Sequence, residues 1–156
     1  MDDLHIIDIA AADLSLFKKH LADCVILTHD HKIFLQKHSE NDPRNPGIVH
    51  PFGGHVEAGE TAVEAVIREI AEETGAKIER PDLLFLGAVS EAFTNHTELV
   101  HVYYWHDRQK TITGCYERGA VFFDSYAEAL AYPKLMDYAR WALEECQRRN
   151  LLPSSD

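Results

Sequence analysis

The residues with the clearest chemical potential are glutamates. Six of them, Glu57, Glu60, Glu64, Glu69, Glu72 and Glu73, fall between positions 57 and 73, with Arg68 the one basic residue among them. Glu69, Glu72 and Glu73 are spaced three and four apart, so on a helix they share a face as like charges. They sit in its last turn, where the macrodipole disfavours negative charge. Such a face calls for a cation. Arg68 is one, and a bound metal is the other. The donors are hard carboxylate oxygens with no thiol nearby, which suits Mg²⁺ or Mn²⁺, with Ca²⁺ a non-productive substitute. Mg²⁺ takes few protein carboxylates and completes its shell with water and substrate phosphate. Gly53 and Gly54, just upstream, let backbone N–H groups approach anions. Taken alone, the three glutamates also fit an ordinary solvated helix face.

The element that carries them is well marked. Thr61 with Glu64 matches a capping box, and Gly75 stands where a helix stops. Val63, Val66, Ile67 and Ile70 recur at helical spacing, so 61–74 reads as a helix with one stripe toward a core. Around it, 13–22 reads as a short helix from Leu14, Phe17 and Leu21. Residues 24–27 and 33–35 read as a strand hairpin across the polar turn 28–32, and 39–47 as a loop. Strands are expected at 83–93, 99–105 and 120–123, and helices at 125–131 and from Pro133 to about position 149. The expectation is a mixed α/β domain with a sheet between helices.

The 156 residues suit a single domain, 1–156, with 46% hydrophobic residues, enough for a core without disulfides or structural metal. The formal charge of −11 argues against gripping a nucleic-acid polymer, and repels phosphorylated compounds unless a divalent cation intervenes. Cys24, Cys115 and Cys146 are far apart and form no CxxC pair, so reduced thiols are expected. No apolar run suits a membrane span and no secretory leader is visible. A cytoplasmic location and no membrane partner follow as expectations.

Over 54–76 the chain fits Gly-x5-Glu-x7-Arg-Glu-U-x-Glu-Glu-x-Gly-U, where U is a bulky apolar residue: Gly54, Glu60, Arg68, Glu69, Ile70, Glu72, Glu73, Gly75 and Ala76. Only Ala76 is small for its slot. This resembles the Nudix hydrolase signature. The resemblance implies a Nudix-like α/β/α sandwich with a mixed central sheet, and hydrolysis of nucleoside-diphosphate-linked compounds with Mg²⁺ or Mn²⁺. It implies Glu69, Glu72 and Glu73 as metal ligands, with the Gly54 backbone a weaker one. Arg68 would orient a motif glutamate, and Glu60 would support the ligands. Glu73 and Glu69 are also catalytic candidates. Outside the motif, Glu117, five residues before Phe122, is the first choice of general base, with Glu91 and Glu98 as alternatives. Glu57 extends the motif as GGxxExGE, where it would support metal, loop or substrate. The family's usual Pro before the two glycines is replaced by Phe52, with Pro51 one place earlier.

Beyond the motif, His55 is placed to meet phosphate, and His50 and His101 to line a pocket. His29 and His31, alternate residues at a turn, read as solvated. Tyr103 and Phe93 are candidate stacking platforms for a nucleobase, with core packing the competing reading. Lys37 and Arg44 could offer charge to a distal phosphate. Met136, Tyr138, Trp141, Ala142 and Leu143 read as packing on the last helix, either within the chain or against a second copy in a homodimer. No proline occurs between Pro81 and Pro133, which counts against the ADP-ribose-cleaving subclass, and Ala92 with Phe93 lacks the tyrosine of dinucleoside-polyphosphate enzymes. That leaves (d)NTPs and other nucleotide derivatives. The alternative is a non-catalytic Nudix-fold module that senses a nucleotide or binds a protein. Loss of motif carboxylates would mark it, and all are present. A metal-dependent isomerase on the same fold would also depart from the motif.

Overall fold

The apolar run at Cys24 extends back to Lys19 in the computed structural model, which describes residues 3–153. This strand, β2 (Lys19–Leu27), is the axis of the sheet. It follows β1 (Leu4–Ile7) and a 3-10 turn at Leu14–Leu16. The helix expected over 13–22 is therefore confined to that one turn. Asp13 caps it by accepting from Ser15 N, and the chain then goes extended because β2 runs parallel to β7 (Glu98–His106), from Lys19↔Glu98 to Leu27↔His106. A helical spacing of three apolar residues is outweighed by nine consecutive paired residues.

One edge of β2 is taken by β7, so its other partners share the remaining edge. There β3 (Ile33–Lys37) pairs with Ile26 and Leu27, and β5 (Phe52–His55) pairs with Leu21–Cys24. The short β4 (Val49–His50) pairs with the far end of β3. The segment 49–55 thus fills the fork between two diverging strands. Pro51 sits at the crossing, where a residue without an N–H breaks no ladder. Its carbonyl accepts from Gln36 Nε2 at 2.9 Å. Phe52, in the slot usually held by Pro, packs on Phe34 with ring centroids 4.6 Å apart.

The sheet is completed by β6 (Leu84–Glu91), antiparallel to β7 and β1, and by β8 (Gly119–Phe123), antiparallel to β3. Strand order is β1-β6-β7-β2-β3-β4, with β5 on β2 and β8 on β3. Mixed pairing and helices on both faces match the expected sandwich. Strand alternation divides the core. Ala22, Cys24, Ile26, Tyr103 and Trp105 join Val66 and Ile70 of α1 (Ala62–Thr74) on one face. Val25, Leu27, Val102 and Tyr104 join Ala129 of α2 (Tyr126–Leu130), and Trp141 and Leu143 of α3 (Asp137–Arg148), on the other.

One expectation is corrected here. The last helix starts at Asp137 rather than Pro133, because residues 134–136 pair with β4 instead: Val49 N donates to Lys134 O and Met136 N to Val49 O, both at 3.0 Å. Of the two packing alternatives for α3, its apolar residues take the one within the chain. Tyr138, Trp141, Ala142 and Leu143 are buried against its own sheet. The three cysteines are free thiols. No helix among the described residues is long and apolar enough to cross a membrane.

Candidate active site

Helix α1 carries both motif ends with local order. Thr61 Oγ1 accepts from Glu64 N at 3.1 Å, and Glu64 Oε1 accepts from Thr61 N at 2.9 Å, so the capping box is closed. Gly75 ends the helix with a left-handed φ of 75°. Between these ends Arg68 organises the acids. Its Nε and Nη2 donate to the two oxygens of Glu60 at 2.7 and 3.0 Å, its Nη1 to Glu69 Oε1 at 2.9 Å, and its Nη2 to the His55 carbonyl at 3.1 Å. The fork on Glu60 holds that carboxyl down at about 2. Arg68 thus ties the loop to the helix. Glu72 lies at 3.4 Å from Nη1, half exposed, and Glu57 at 3.8 Å from Nη2, largely exposed.

Glu73 faces the other way, into the fold. It is 1% exposed. Gly53 N donates to its Oε1 at 3.2 Å, while Oε2 is buried without a hydrogen-bond partner. Burial, then the charges of Glu117, Glu69 and Asp23, push its carboxyl up to about 9. The glycines make this closeness possible. A Cβ on Gly54 would lie 2.5 Å from the Glu69 carboxyl carbon, and one on Gly53 only 2.1 Å from Asp23 Oδ1. Thus Glu69, Glu73 and Gly54 are brought together, Glu117 acts on Glu73 through its charge, and Glu72 stands at the solvent edge. Among the described residues, no three acidic, histidine or cysteine side chains close around one point. The donor set still fits a hard cation: carboxylates under mutual repulsion, one with an orphaned buried oxygen.

Beside Gly53 and Gly54, at the mouth of the β2–β3 fork, opens a cavity of about 290 Å³. His50, His55, Phe93, Glu91 and Glu98 line it, as does Met136. Glu91 and Glu98 therefore stand on the cavity wall rather than in the acidic cluster of α1. Tyr103 does not line it. It points to the α1 side of the sheet, 6% exposed, and packs on Phe85 with ring centroids 5.4 Å apart, so its proposed stacking role is corrected to core packing. His101 is also elsewhere, stacked on His20 in a neighbouring cleft that His55 shares. Arg44 lines an adjoining groove, and Lys37 pairs with Glu40 at 3.5 Å. His29 and His31 are exposed.

Sequence reasoning missed Asp23, Tyr138, His38 and Arg118 in this cavity. Tyr138 Oη donates to Asp23 Oδ2 at 2.5 Å and lies 3.2 Å from His50 Nδ1. His50 Nε2 in turn meets His38 Nε2 at 2.7 Å, and His38 Nδ1 meets Asp42 Oδ2 at 2.9 Å. Burial, with the Glu69 and Glu91 charges, pushes Asp23 up to about 7 against the Tyr138 bond. Burial and the His38 and Arg118 charges hold His50 down at about 3. A lone acid inside the apolar run Leu21-Ala22-Asp23-Cys24-Val25 was the available signal for Asp23.

The NUDIX domain model matches residues 18–145. The chain belongs to the NUDIX family. This NUDIX domain is 39% identical over 71 residues to an NAD-capped RNA hydrolase NudC of Haemophilus influenzae, a match covering 46% of this chain and 26% of that protein. It is 45% identical over 67 residues to an ADP-ribose pyrophosphatase of Methanocaldococcus jannaschii, covering 40% of this chain and 38% of the relative. The chain thus spans about a quarter to two fifths of the length of these relatives. In three dimensions it resembles a MutT protein from Methanosarcina mazei Go1, with TM-score 0.69 and 23% identity over 88% of this chain and 99% of that one, a likeness of fold.

Proposed function

We propose that this NUDIX domain is a Mg²⁺- or Mn²⁺-dependent hydrolase of phosphoanhydride bonds in nucleoside-diphosphate-linked compounds. The observation that carries the reading is Glu73: a fully buried carboxyl with an orphaned oxygen, beside Glu69 and the Gly53–Gly54 backbone, and repelled by Glu117 and Asp23. Glu69, Glu72, Glu73 and the Gly54 carbonyl would hold the cation. When bound, it neutralises phosphate oxygens and lowers the pKa of a water. Arg68 keeps Glu60, Glu69 and the His55 carbonyl in register, and so positions the ligands without touching substrate. Glu117, an exposed carboxylate whose charge reaches Glu73, would accept the proton of an attacking water, which then displaces phosphate in line. His55 is at the rim where phosphate enters, and Phe93 offers a ring to a base.

The relatives' names support nucleotide derivatives as the substrate class. One acts on NAD-capped RNA and another on ADP-ribose. The small cavity and the −11 charge favour a small-molecule derivative over a long nucleic-acid strand. The test is product release from nucleoside triphosphates, nucleotide sugars, ADP-ribose, NAD and dinucleoside polyphosphates with Mg²⁺ or Mn²⁺, beside Glu72→Gln. Hydrolysis of one class, lost in the variant, supports the reading. Silence across the panel with the cation still bound would favour a sensing module, and no cation binding would remove the ligand assignment.

A further inference from the structure

Gly53 spends its N–H on Glu73 Oε1, so the ladder between β2 and β5 does not aim it. Glycine has the loosest backbone, and the φ of 153° here is one that side chains rarely adopt. Something outside the strand must hold the angle. The place a Cβ would take is filled by Asp23, its cross-strand partner, with Oδ1 2.1 Å and Cα 2.6 Å from that point. The Asp23 carboxyl is the wall on which Gly53 rests.

That wall has one support. Asp23 is buried, and among the described residues its carboxyl makes one hydrogen bond, from Tyr138 Oη at 2.5 Å. The direction of this bond follows from its neighbours. The Pro51 carbonyl, 2.9 Å from His50 Nδ1, can only accept, so the neutral His50 carries its proton on that nitrogen. His50 Nδ1 then cannot accept from Tyr138, 3.2 Å away, and the hydroxyl proton goes to Asp23. Tyr138 itself is firmly seated. It is buried in the first turn of α3, just after Met136 N is tied to Val49 O at 3.0 Å. The contacts run from Tyr138 to Asp23, Gly53 and Glu73, from α3 on one face of the sheet through two strands to α1 on the other.

We propose that Tyr138 is a positioning residue for the cation site: by holding the Asp23 carboxyl against Gly53, its hydroxyl aims the Gly53 N–H at Glu73 and so sets the carboxylate that takes the metal. This rests on the reading of Glu73 as a ligand given above, and extends it to a hydroxyl that touches neither cation nor phosphate.

Tyr138→Phe removes the hydroxyl and keeps the ring. Tyr104→Phe is the control, since Tyr104 is equally buried but its Oη donates to Leu151 O at 3.0 Å instead. The readouts are the Gly53 amide proton shift in the metal-free protein, Mn²⁺ affinity by electron paramagnetic resonance, and steady-state kinetics. In Tyr138→Phe the amide proton should move upfield, as it does when a hydrogen bond weakens. Mn²⁺ affinity should fall about fivefold. The kcat should fall about tenfold with KM within about twofold. Tyr104→Phe should change none of the three. In an Asp23→Ala background, Tyr138→Phe should add less than about twofold to any loss, because it acts only through that carboxyl. The amide and Mn²⁺ readouts on Tyr138→Phe alone decide the matter if that background folds poorly. An unmoved Gly53 amide, an unchanged Mn²⁺ affinity, a rise in KM with kcat unchanged, or losses that add fully to those of Asp23→Ala would overturn the proposal. Turnover that survives Tyr138→Phe keeps the hydrolase reading and removes this one. A chain that shows the amide and Mn²⁺ changes but cleaves nothing removes the hydrolase reading and keeps this one. A wild type that binds no Mn²⁺ overturns both.

Discussion

Gly53 and Glu73, twenty positions apart, meet where the backbone N–H donates to Oε1 at 3.2 Å and leaves Oε2 with no partner. The strand of the fork and the helix of the motif are joined through a carboxyl that the protein alone does not satisfy. Glu73→Gln keeps the shape and removes the charge. Its turnover should fall by about a hundredfold or more. Its melting temperature without metal should equal or exceed that of the wild type. Glu64→Gln, on the same helix, preserves the capping box and should leave turnover within about twofold. Steady-state kinetics beside calorimetric melting checks both.

Arg68 reaches Glu60 with two nitrogens, and Glu69 and the His55 carbonyl besides. A lysine cannot reproduce that planar fork. Arg68→Lys should lose about tenfold to a hundredfold in kcat/KM and a similar factor in Mn²⁺ affinity, with the circular dichroism spectrum unchanged.

Gly53 and Gly59 separate close approach from conformational freedom. Both have positive φ, 153° and 83°, but only Gly53 has atoms where a Cβ would go, including Ala22 O at 2.3 Å. Gly53→Ala should cost about 3 kcal/mol in urea denaturation. Gly59→Ala, with open space around it, should cost only about 1 kcal/mol.

Asp23 sets a pH dependence. Its folded pKa of about 7 lies above the ordinary carboxylate value, so the native state holds a proton that the unfolded chain gives up. Its contribution is fully present below about pH 4 and is lost as pH rises to about 7. His50, held at about 3, acts in the opposite sense: its contribution is lost as pH falls from about 6.5 toward 3. The two partly cancel in the wild type. Asp23→Asn removes only the first, so its stability relative to the wild type should climb by a few kcal/mol between pH 4 and pH 8. Denaturation at a series of pH values measures it.

Helix α1 was legible because its signals are local and agree: the cap pair Thr61 and Glu64, the apolar stripe, and Gly75. Residues 13–22 misled because Leu14, Phe17 and Leu21 also fit a helix, and the partner that extends them, β7, lies about eighty residues away. Pro133 misled for the same reason, since residues 134–136 bond to Val49. The acidic cluster was readable from one contiguous motif. The cavity was only half readable, because Asp23 and Tyr138 meet across 115 positions and neither carries a motif. Tyr103 lies on β7 facing the core, whereas Phe93 stands exposed in the 3-10 turn Ala92–Thr94 that follows β6, a difference that composition does not report.

The fork in β2 keeps two demands apart. One branch, β5, delivers Gly53 and Gly54 to the acidic helix, and the other, β3 with β4 and β8, carries Gln36, His38 and His50 on the cavity wall. On the function proposed above, a change on the β3 branch would reshape one wall of the cavity while Gly53 and Gly54 on the β5 branch stay beside the acidic helix. Descendants of such a chain could acquire new substrates by drift in one arm of the sheet, without passing through an inactive ancestor.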